Sequence, residues 1–268
     1  MDFTVNTAEM YEAIRAVEKI APQSSPIHVL KCAYIECDVD IGRITLYSTN
    51  FDASIAYSLR ANVYSSGRLL LEARMLSKIL EMMCRTQRET VRFAEHMGSV
   101  YITSETSQYL FPKVVDDYPK PSFEVPEQAT TIEGKQISHL AGKCSIAAAQ
   151  PDSSKEVLKS VHLVISSDAL SMTSTDGQCI SRASSQRDNA FESSVLVPVA
   201  QFARFAAIAQ GYDSFKVGIT AKGIVFSRSN MTVFITRVPG QFINADAILS
   251  TAVAYAADLD AAVFRSLI

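Results

Sequence analysis

Basic side chains recur at helical spacing in two separate segments of the chain. They are Arg74, Lys78 and Arg85 in the first segment, and Lys135, His139 and Lys143 in the second. Steps of four or seven residues place each set on one face of a predicted helix. Such a face can bind the phosphate oxygens of nucleic acid through contacts that do not depend on base sequence. Each stripe alone also fits an ordinary solvated helix face.

The sequence offers little that could perform catalysis. It contains no nucleophile motif, no glycine-rich phosphate loop and no metal-ligand cluster. Its acidic pairs, Asp38 with Asp40 and Asp116 with Asp117, lie beside a turn and in a proline-rich connector, where solvated charge explains them. The four histidines are scattered singly. We therefore expect no enzymatic activity, no metal and no cofactor, and an enzyme remains the competing interpretation.

Length, charge and cysteine content limit the kinds of protein that the sequence can encode. The 268 residues and 48% hydrophobic content favour about two domains. A net charge of −3 argues against a generally basic nucleic-acid coat protein, but positive charge can still gather on one face. The odd number of cysteines, five, suggests reduced and mostly buried thiols, with Cys32 and Cys37 on opposite faces of one strand. The absence of a signal peptide and of a long apolar run predicts a soluble cytoplasmic protein.

The elements that would position these residues follow an α+β plan. The first strand leads into a helix that should end before Pro22, and alternating strands follow between residues 33 and 59. A strand at 69–71 then enters the helix that carries Arg74, and three strands follow up to residue 111. An acidic, proline-rich connector covers residues 113–128. The same order then begins again, with predicted helices at 135–149 and 199–210.

The chain repeats itself at a period of about 126 residues. Segment 67–76 has an echo at 193–202, segment 48–52 at 174–177, and segment 100–103 at 224–227. This period is too long for solenoid units and indicates duplicated domains. We predict domains at 1–120 and 129–247, and the start of a truncated third domain at 251–268. The two helices with basic stripes are expected to occupy equivalent positions in their domains.

Local motifs add a family resemblance. The segment from Met1 to Val5 resembles the opening strand of the bacterial sliding clamp, the beta subunit of DNA polymerase III. Residues 174–177 are similar to the family's Ala-Thr-Asp-Gly segment, and residues 238–242 to its Val-Asp-Gly-Arg-Phe segment. The resemblance runs from Met1 to about Leu249. It implies tandem repeated DNA-clamp domains, each with two helices packed on antiparallel sheets, and a DNA replication processivity factor without catalysis.

The resemblance also implies an assembly and its partners. In the family, two subunits of three domains close head to tail into a homodimeric ring whose helices surround duplex DNA. The ring tethers the replicative polymerase and the clamp loader through short peptide motifs, and it needs no cofactor. Two alternatives stay open for this chain. It is either a fragment or a shortened relative, and it either encircles DNA or is a clamp-fold interaction module that no longer does so.

Gln150, the groove residues and the ring-interface residues follow from the resemblance, whereas the basic residues come from charge on the predicted helices and, for Lys155, from the loop that carries Gln150. The expected DNA contacts are Arg74, Lys78, Arg85, Lys135, Lys143, Gln150, Lys155 and Arg204. The expected partner-peptide groove comprises Leu158, Thr175, Gly177, Gln178, Cys179, Ile180, Ile243 and Ile248. The expected ring interface carries Tyr109 and Phe111. Departures occur at Ser25, where the family commonly has an arginine, and at Gln178, Cys179 and Ile243 in the groove, so the preferred peptide motif is expected to differ.

Overall fold

A computed structural model describes residues 1–250, except 88, 106, 115 and 187–190, together with residues 260, 262, 263 and 265. Its strands and helices fall into two consecutive units of the same plan. The predicted start of a third domain at 251–268 lies almost wholly outside the described residues. The predicted domain boundaries therefore remain predictions.

The first unit contains nine strands and two helices. They are β1 (Asp2–Asn6), α1 (Thr7–Ile20), β2 (Cys32–Asp38), β3 (Arg43–Thr49), β4 (Ala53–Arg60), β5 (Asn62–Ser65), β6 (Gly67–Glu72), α2 (Ala73–Arg85), β7 (Thr90–His96), β8 (Ser99–Thr103) and β9 (Gln108–Pro112). Strand β5 was not predicted. Helix α1 begins where expected, because the Asn6 side chain accepts a hydrogen bond from the Glu9 amide.

The described part of the second unit repeats this order; the position equivalent to β5 falls largely on residues 187–190, outside the described residues. Its elements are β10 (Thr130–Glu133), α3 (Gly134–Cys144), β11 (Ser160–Ile165), β12 (Ala169–Thr175), β13 (Ile180–Gln186), β14 (Ser193–Pro198), α4 (Val199–Ala209), β15 (Ser214–Ile219), β16 (Gly223–Arg228) and β17 (Met231–Thr236), followed by α5 (Ala245–Leu249). The predicted helix at 135–149 was too long. After Cys144 the chain forms one 3-10 turn, and the Ala149 amide then donates to the Leu158 carbonyl, which draws the backbone away from the helix axis.

Three antiparallel sheets hold these strands. One has the order β5-β1-β7-β8-β9 and one the order β13-β12-β11-β14. The third has eight strands in the order β10-β15-β16-β17-β4-β3-β2-β6 and runs through both units. The join is the β17–β4 pair, in which Val233 lies opposite Ile55. One continuous sheet therefore joins the two units at their junction.

The repeat is visible in the turns that follow β3 and β12. In the first unit the Thr49 hydroxyl accepts from the Phe51 amide at 3.0 Å, and Phe51 has φ of 72°. In the second unit the Thr175 hydroxyl accepts from the Gly177 amide at 3.0 Å, and Gly177 has φ of 95°. The left-handed conformation is therefore kept at both turns, although only the second has a glycine. The predicted echo between 48–52 and 174–177 is confirmed.

The four long helices form one layer in the order α2-α1-α4-α3. Contacts between α1 and α4 carry the layer across the junction, where Asn50 Nδ2 donates both to the Ile20 carbonyl and to the Gln201 side chain. Beneath the layer one apolar core runs through both units. Helices α2 and α3 are not equivalent, contrary to the prediction. Helix α2 follows β6 and corresponds to α4, whereas α3 follows β10 and corresponds to α1.

The connector packs against the outer face of the eight-stranded sheet, on the side away from the helices. Tyr118 stacks on Tyr34 with ring centroids 5.2 Å apart, and Lys120 pairs with Glu36 at 2.5 Å. Cys32 lies in this outer apolar cluster, whereas Cys37 lies in the main core. The prediction that these two thiols occupy opposite faces is confirmed. All five cysteines are free.

Candidate nucleic-acid interface and partner groove

Positive charge is concentrated on the helix layer. Helices α1 to α4 contain eight lysines and arginines and four glutamates, a net charge of +4, whereas the whole chain carries −3. The rest of the chain therefore carries −7. The apolar stripe of each helix faces the sheets, so these charges lie on the opposite, solvent side. The layer is a basic surface on an acidic protein.

Helix α2 presents the densest part of this surface. Its buried residues Leu76, Leu80 and Met83 face the core and leave Arg74 and Lys78 exposed on the far side. Within the described residues neither of these cations forms an ion pair. Arg85 is also exposed but pairs with Glu81 at 2.7 Å, four residues earlier on the same helix. Two cations of α2 are thus available to an external anion, and a third is partly neutralised.

Helix α3 and the following loop carry the other predicted DNA contacts. Lys135 and Lys143 are exposed, on the side opposite to the buried Ile137 and Leu140. His139 lies between the two lysines and is also exposed. Gln150, which was assigned by resemblance, and Lys155, which was assigned as its companion on the same loop, are exposed before β11. The structure therefore leaves all five side chains accessible to a ligand.

Arg204 has a different position from the other predicted contacts. Its Nη1 donates to the carbonyls of Lys19, Ile20 and Ala21 at 3.4 to 3.5 Å, at the carboxyl end of α1. The helix dipole favours a cation there. In the other direction Lys19 Nζ donates to the Ala207 carbonyl at 2.7 Å. Arg204 and Lys19 thus join α4 to α1, which indicates a structural role that sequence reasoning missed.

The predicted partner groove lies on the opposite, outer side of the second unit. Thr175 is buried at the end of β12, Gly177, Gln178 and Cys179 form the exposed turn before β13, and Leu158 and Ile180 are partly buried beside it. Ile243 and Ile248 are 37% and 51% exposed in the segment after β17. The structure thus places apolar side chains with an exposed polar turn on one side of the sheet, as a site for a short apolar peptide requires.

Two contacts, made by four residues, hold the segment after β17 against this sheet. The ring of Phe242 lies 5.0 Å from that of His162 on β11, and Asp246 on α5 pairs with Arg182 on β13 at 2.5 Å. Burial, and then the charge of Arg182, lower the pKa of His162, while Asp246 opposes this shift. Sequence reasoning missed these contacts because the partners lie at least 64 residues apart.

The first unit shows what the turn of the groove can contact. There the backbone of the equivalent turn, 49–53, is contacted by the second unit: the Thr236 amide donates to the Asp52 carbonyl at 2.8 Å, and the Thr236 hydroxyl donates to the Phe51 carbonyl. Phe51 and Asp52 remain exposed, as residues 176–179 do in the second unit. The turn beside the predicted groove therefore corresponds to one that, in the first unit, binds the second unit through its backbone carbonyls.

The predicted ring interface lies on β9, at the end of its five-stranded sheet. Tyr109 is partly buried, and Phe111 is only 6% exposed because it faces the core. The assignment of Tyr109 and Phe111 to a ring interface stays a prediction, and the Phe111 side chain is buried in this chain. Leu110, which was not predicted, points outward and is 60% exposed. Successive side chains of a strand point to opposite faces, which explains why Leu110 is exposed and its neighbour Phe111 is buried.

The described residues include no metal-ion cluster and no membrane-spanning helix. No group of three or more histidine, cysteine, aspartate or glutamate side chains is arranged to hold a metal ion. None of the helices in this part of the chain combines the length and apolar character of a membrane span.

Solved sliding clamps share this fold. The DNA polymerase III beta chain of Streptococcus pneumoniae superposes with a TM-score of 0.83 at 20% identity, over 94% of this chain and 68% of that one. A sliding clamp from Pseudomonas aeruginosa, solved with griselimycin bound, gives 0.80 at 16% identity over 94% and 68%. The molecule thus has the fold of the sliding clamps: tandem units joined through a common sheet under one helix layer.

Sequence comparisons agree with the fold. Residues 1–122 match the N-terminal domain of the DNA polymerase III beta subunit. The beta sliding clamp of Chlamydia muridarum is 22% identical over 254 residues, which are 94% of this chain and 68% of the relative. That of Micrococcus luteus is 25% identical over 177 residues, 66% of this chain and 55% of the relative. The chain is thus similar to DNA polymerase III beta sliding clamps, with the family model matching its first 122 residues, and it spans about half to two thirds of these relatives.

Proposed function

We propose that the protein is a DNA polymerase processivity factor that forms a ring around duplex DNA in the cytoplasm. The single observation that carries the proposal is the continuous helix layer, with a net charge of +4 on a chain of −3. A protein that slides must be held near the DNA without a preferred register. Lysine and arginine contacts with phosphates meet this requirement, because phosphates repeat uniformly along the duplex.

The role of each cation follows from its partners. Arg74, Lys78, Lys135 and Lys143 are the proposed primary phosphate contacts, because they are exposed and form no ion pair within the described residues. Arg85 contributes once a phosphate competes with Glu81, and Gln150 and Lys155 extend the surface at one edge. Arg204 contributes mainly by fixing α4 to α1. This mode of action needs neither catalysis nor a cofactor.

We further assign the groove around Ile180 and Ile248 to short apolar peptide motifs of the replicative polymerase and the clamp loader. Its support is the exposed apolar surface beside the turn 176–179. Griselimycin serves as a probe, since a Pseudomonas aeruginosa clamp was solved with it bound. We expect saturable griselimycin binding that Ile180→Glu weakens at least tenfold, with Ile41→Glu as the control. Ile41 is an exposed isoleucine that lies in the first unit between β2 and β3, away from the groove.

The alternative is a clamp-fold interaction module that does not encircle DNA. Retention on nicked circular DNA separates the two functions. The chain is incubated with the circle, passed through a gel-filtration column, and compared with a sample whose DNA was linearised after binding. Encirclement predicts protein that stays on the circle and leaves the linear form through its ends. Equal loss from both forms would contradict encirclement and favour the interaction module.

A further inference from the structure

The eight-stranded sheet ends at β10 on one side and at β6 on the other. Within the described residues β6 pairs with β2 alone, so the backbone groups on its other side meet no strand. In the described part of the connector, backbone hydrogen bonds join Lys113 to Gly98 and Lys120 to Tyr118, and none of them reaches β6. An open edge of this kind can bind an extended segment through main-chain hydrogen bonds.

A cavity of about 420 Å³ lies beside this edge. Leu70 of β6, Tyr34 of β2, and Val114 and Tyr118 of the connector line it, and these four side chains belong to one apolar cluster. Lys113 also lines the cavity but pairs with a glutamate of β7 at 2.5 Å. The volume lies in the range of pockets that bind small ligands, so the cavity can accept an apolar side chain of a bound segment.

Charge changes sign along the outer face of β6. Because side chains of a strand alternate between its faces, Arg68, Leu70 and Glu72 share this outer face. Arg68 is exposed and forms no ion pair within the described residues. Glu72 is exposed at the other end, and Asp116 lies near it: burial, and then the charges of Glu72 and Asp116, raise the pKa of the Cys32 thiol to about 11. The face is thus positive at one end, apolar in the middle and negative at the other end.

We propose that β6 binds an extended peptide as an added antiparallel strand, and that this peptide carries a basic, an apolar and an acidic residue at alternate positions, in that order. The basic residue then lies opposite Glu72, the apolar residue opposite Leu70 beside the cavity, and the acidic residue opposite Arg68. Opposite charges and apolar pairs directly across a sheet stabilise it, whereas like charges destabilise it. The direction follows from the greater stability of antiparallel ladders, the kind that all strand pairs in the described part of the chain form.

The second unit lacks this charge pattern, although its fold repeats that of the first. Leu196 of β14 is the counterpart of Leu70, because each lies opposite the third residue of the neighbouring strand. Two residues before and after Leu196 stand Ser194 and Pro198, which carry no charge. The site therefore belongs to the first unit. It is separate from the groove around Ile180 and goes beyond the proposed function.

Two peptides of one composition and opposite order test the register. The probe is a fluorescently labelled peptide Ser-Lys-Thr-Leu-Thr-Glu-Ser, and the control is Ser-Glu-Thr-Leu-Thr-Lys-Ser. Anisotropy at low salt should show that the probe binds at least about fivefold more tightly, because the control, held antiparallel, sets like charges opposite each other at two positions. Equal binding of the two peptides, or binding of neither, would overturn the proposal.

Reversing the charge of Arg68 gives a second test with a gain of binding. Arg68→Glu should weaken binding of the probe at least about fivefold and strengthen binding of Ser-Lys-Thr-Leu-Thr-Lys-Ser by about as much. Lys216→Glu is the matched control, since Lys216 is exposed on β15 of the second unit and its replacement changes the net charge equally. Equal effects of the two variants would refute the pairing opposite Arg68 and leave only net charge.

Hydrogen exchange identifies the strand that the peptide joins. Bound probe should slow amide exchange in segment 67–72 and leave segment 193–198 unchanged, because a new ladder protects the free amides of β6. Successive amides of a strand point to opposite sides, so an N-methyl group on the leucine of the probe and one on the following threonine should differ, with only one of them abolishing binding. Unchanged exchange in segment 67–72, or equal effects of the two methyl groups, would contradict the addition of a strand.

Discussion

Neutralising Arg74 and Lys78 should weaken duplex binding in a manner that depends on salt. Both side chains are exposed on α2, and their replacement by glutamine removes two charges while leaving the buried stripe of the helix intact. Each phosphate contact lowers log K by about 0.9 for every tenfold rise in salt. The slope of log K against log salt should therefore become shallower by about 1.8 in the double variant.

The same relation gives the expected affinities. Two lost contacts should weaken binding about 60-fold at 0.1 M salt but only about ninefold at 0.3 M. Fluorescence anisotropy of a labelled duplex at four salt concentrations measures both quantities. The helix stability should hardly change, because glutamine and these cations have similar helix propensities. Denaturant unfolding of each variant checks this point.

The matched control removes two charges from the opposite face. Arg43 on β3 and Lys216 on β15 are exposed, and their strand neighbours Ile44 and Val217 are buried in the core beneath the helices. Arg43→Gln with Lys216→Gln therefore gives the same net charge without touching the helix layer. A control slope that falls as much as the α2 slope would refute a localised interface and leave only the effect of net charge.

Further predictions concern stability and pH. Gly134→Ala should destabilise folding by about 1–3 kcal/mol, because a Cβ at Gly134 would lie 2.0 Å from the Ala209 carbonyl oxygen, whereas Gly142→Ala on the same helix meets no atom within 4 Å and should be neutral or stabilising. Equal urea midpoints for the two variants would contradict the close packing of α3 on α4. Burial lowers the pKa of His162 below its usual 6.5, so the unfolded chain takes up the proton first, and the stability present above pH 6.5 is lost as the pH falls through that region. Unfolding of His162→Gln at pH 7.5 and 5.5 should therefore show a smaller loss on acidification than the parent, and an equal loss would contradict burial of the neutral imidazole.

Much of the fold could be predicted because the same order of strands and helices occurs twice in the sequence. Strand alternation, helix stripes and the N-cap at Asn6 are local signals, and they placed both helices of each unit. Strand β5 was missed because three of its four residues are exposed and it pairs only as an edge beside β1. Helix α3 was predicted too long because Ile146 fits an apolar stripe, yet it is exposed in the structure.

Less of the candidate site could be predicted, because its contacts join distant parts of the chain. The stripes on α2 and α3 were readable from spacing alone, and both prove to be exposed. The role of Arg204 was not readable, since its carbonyl partners lie more than 180 residues away. The ion pair of Arg182 with Asp246 likewise leaves no local signal. On β9 the resemblance named Tyr109 and Phe111, but the pleat of the strand decides that Leu110 faces outward.

Directed cleavage of DNA tests most directly whether the helix layer faces the duplex. A cleaving iron chelate is attached to Lys78→Cys on α2, or to Lys216→Cys on the opposite face, with Cys84 and Cys179 replaced by serine. The account predicts cuts from Lys78→Cys on both strands, spread evenly along a duplex of any sequence, and only background from Lys216→Cys. Equal cutting from the two positions, or stronger cutting from Lys216→Cys, would contradict the placement of DNA against the helices.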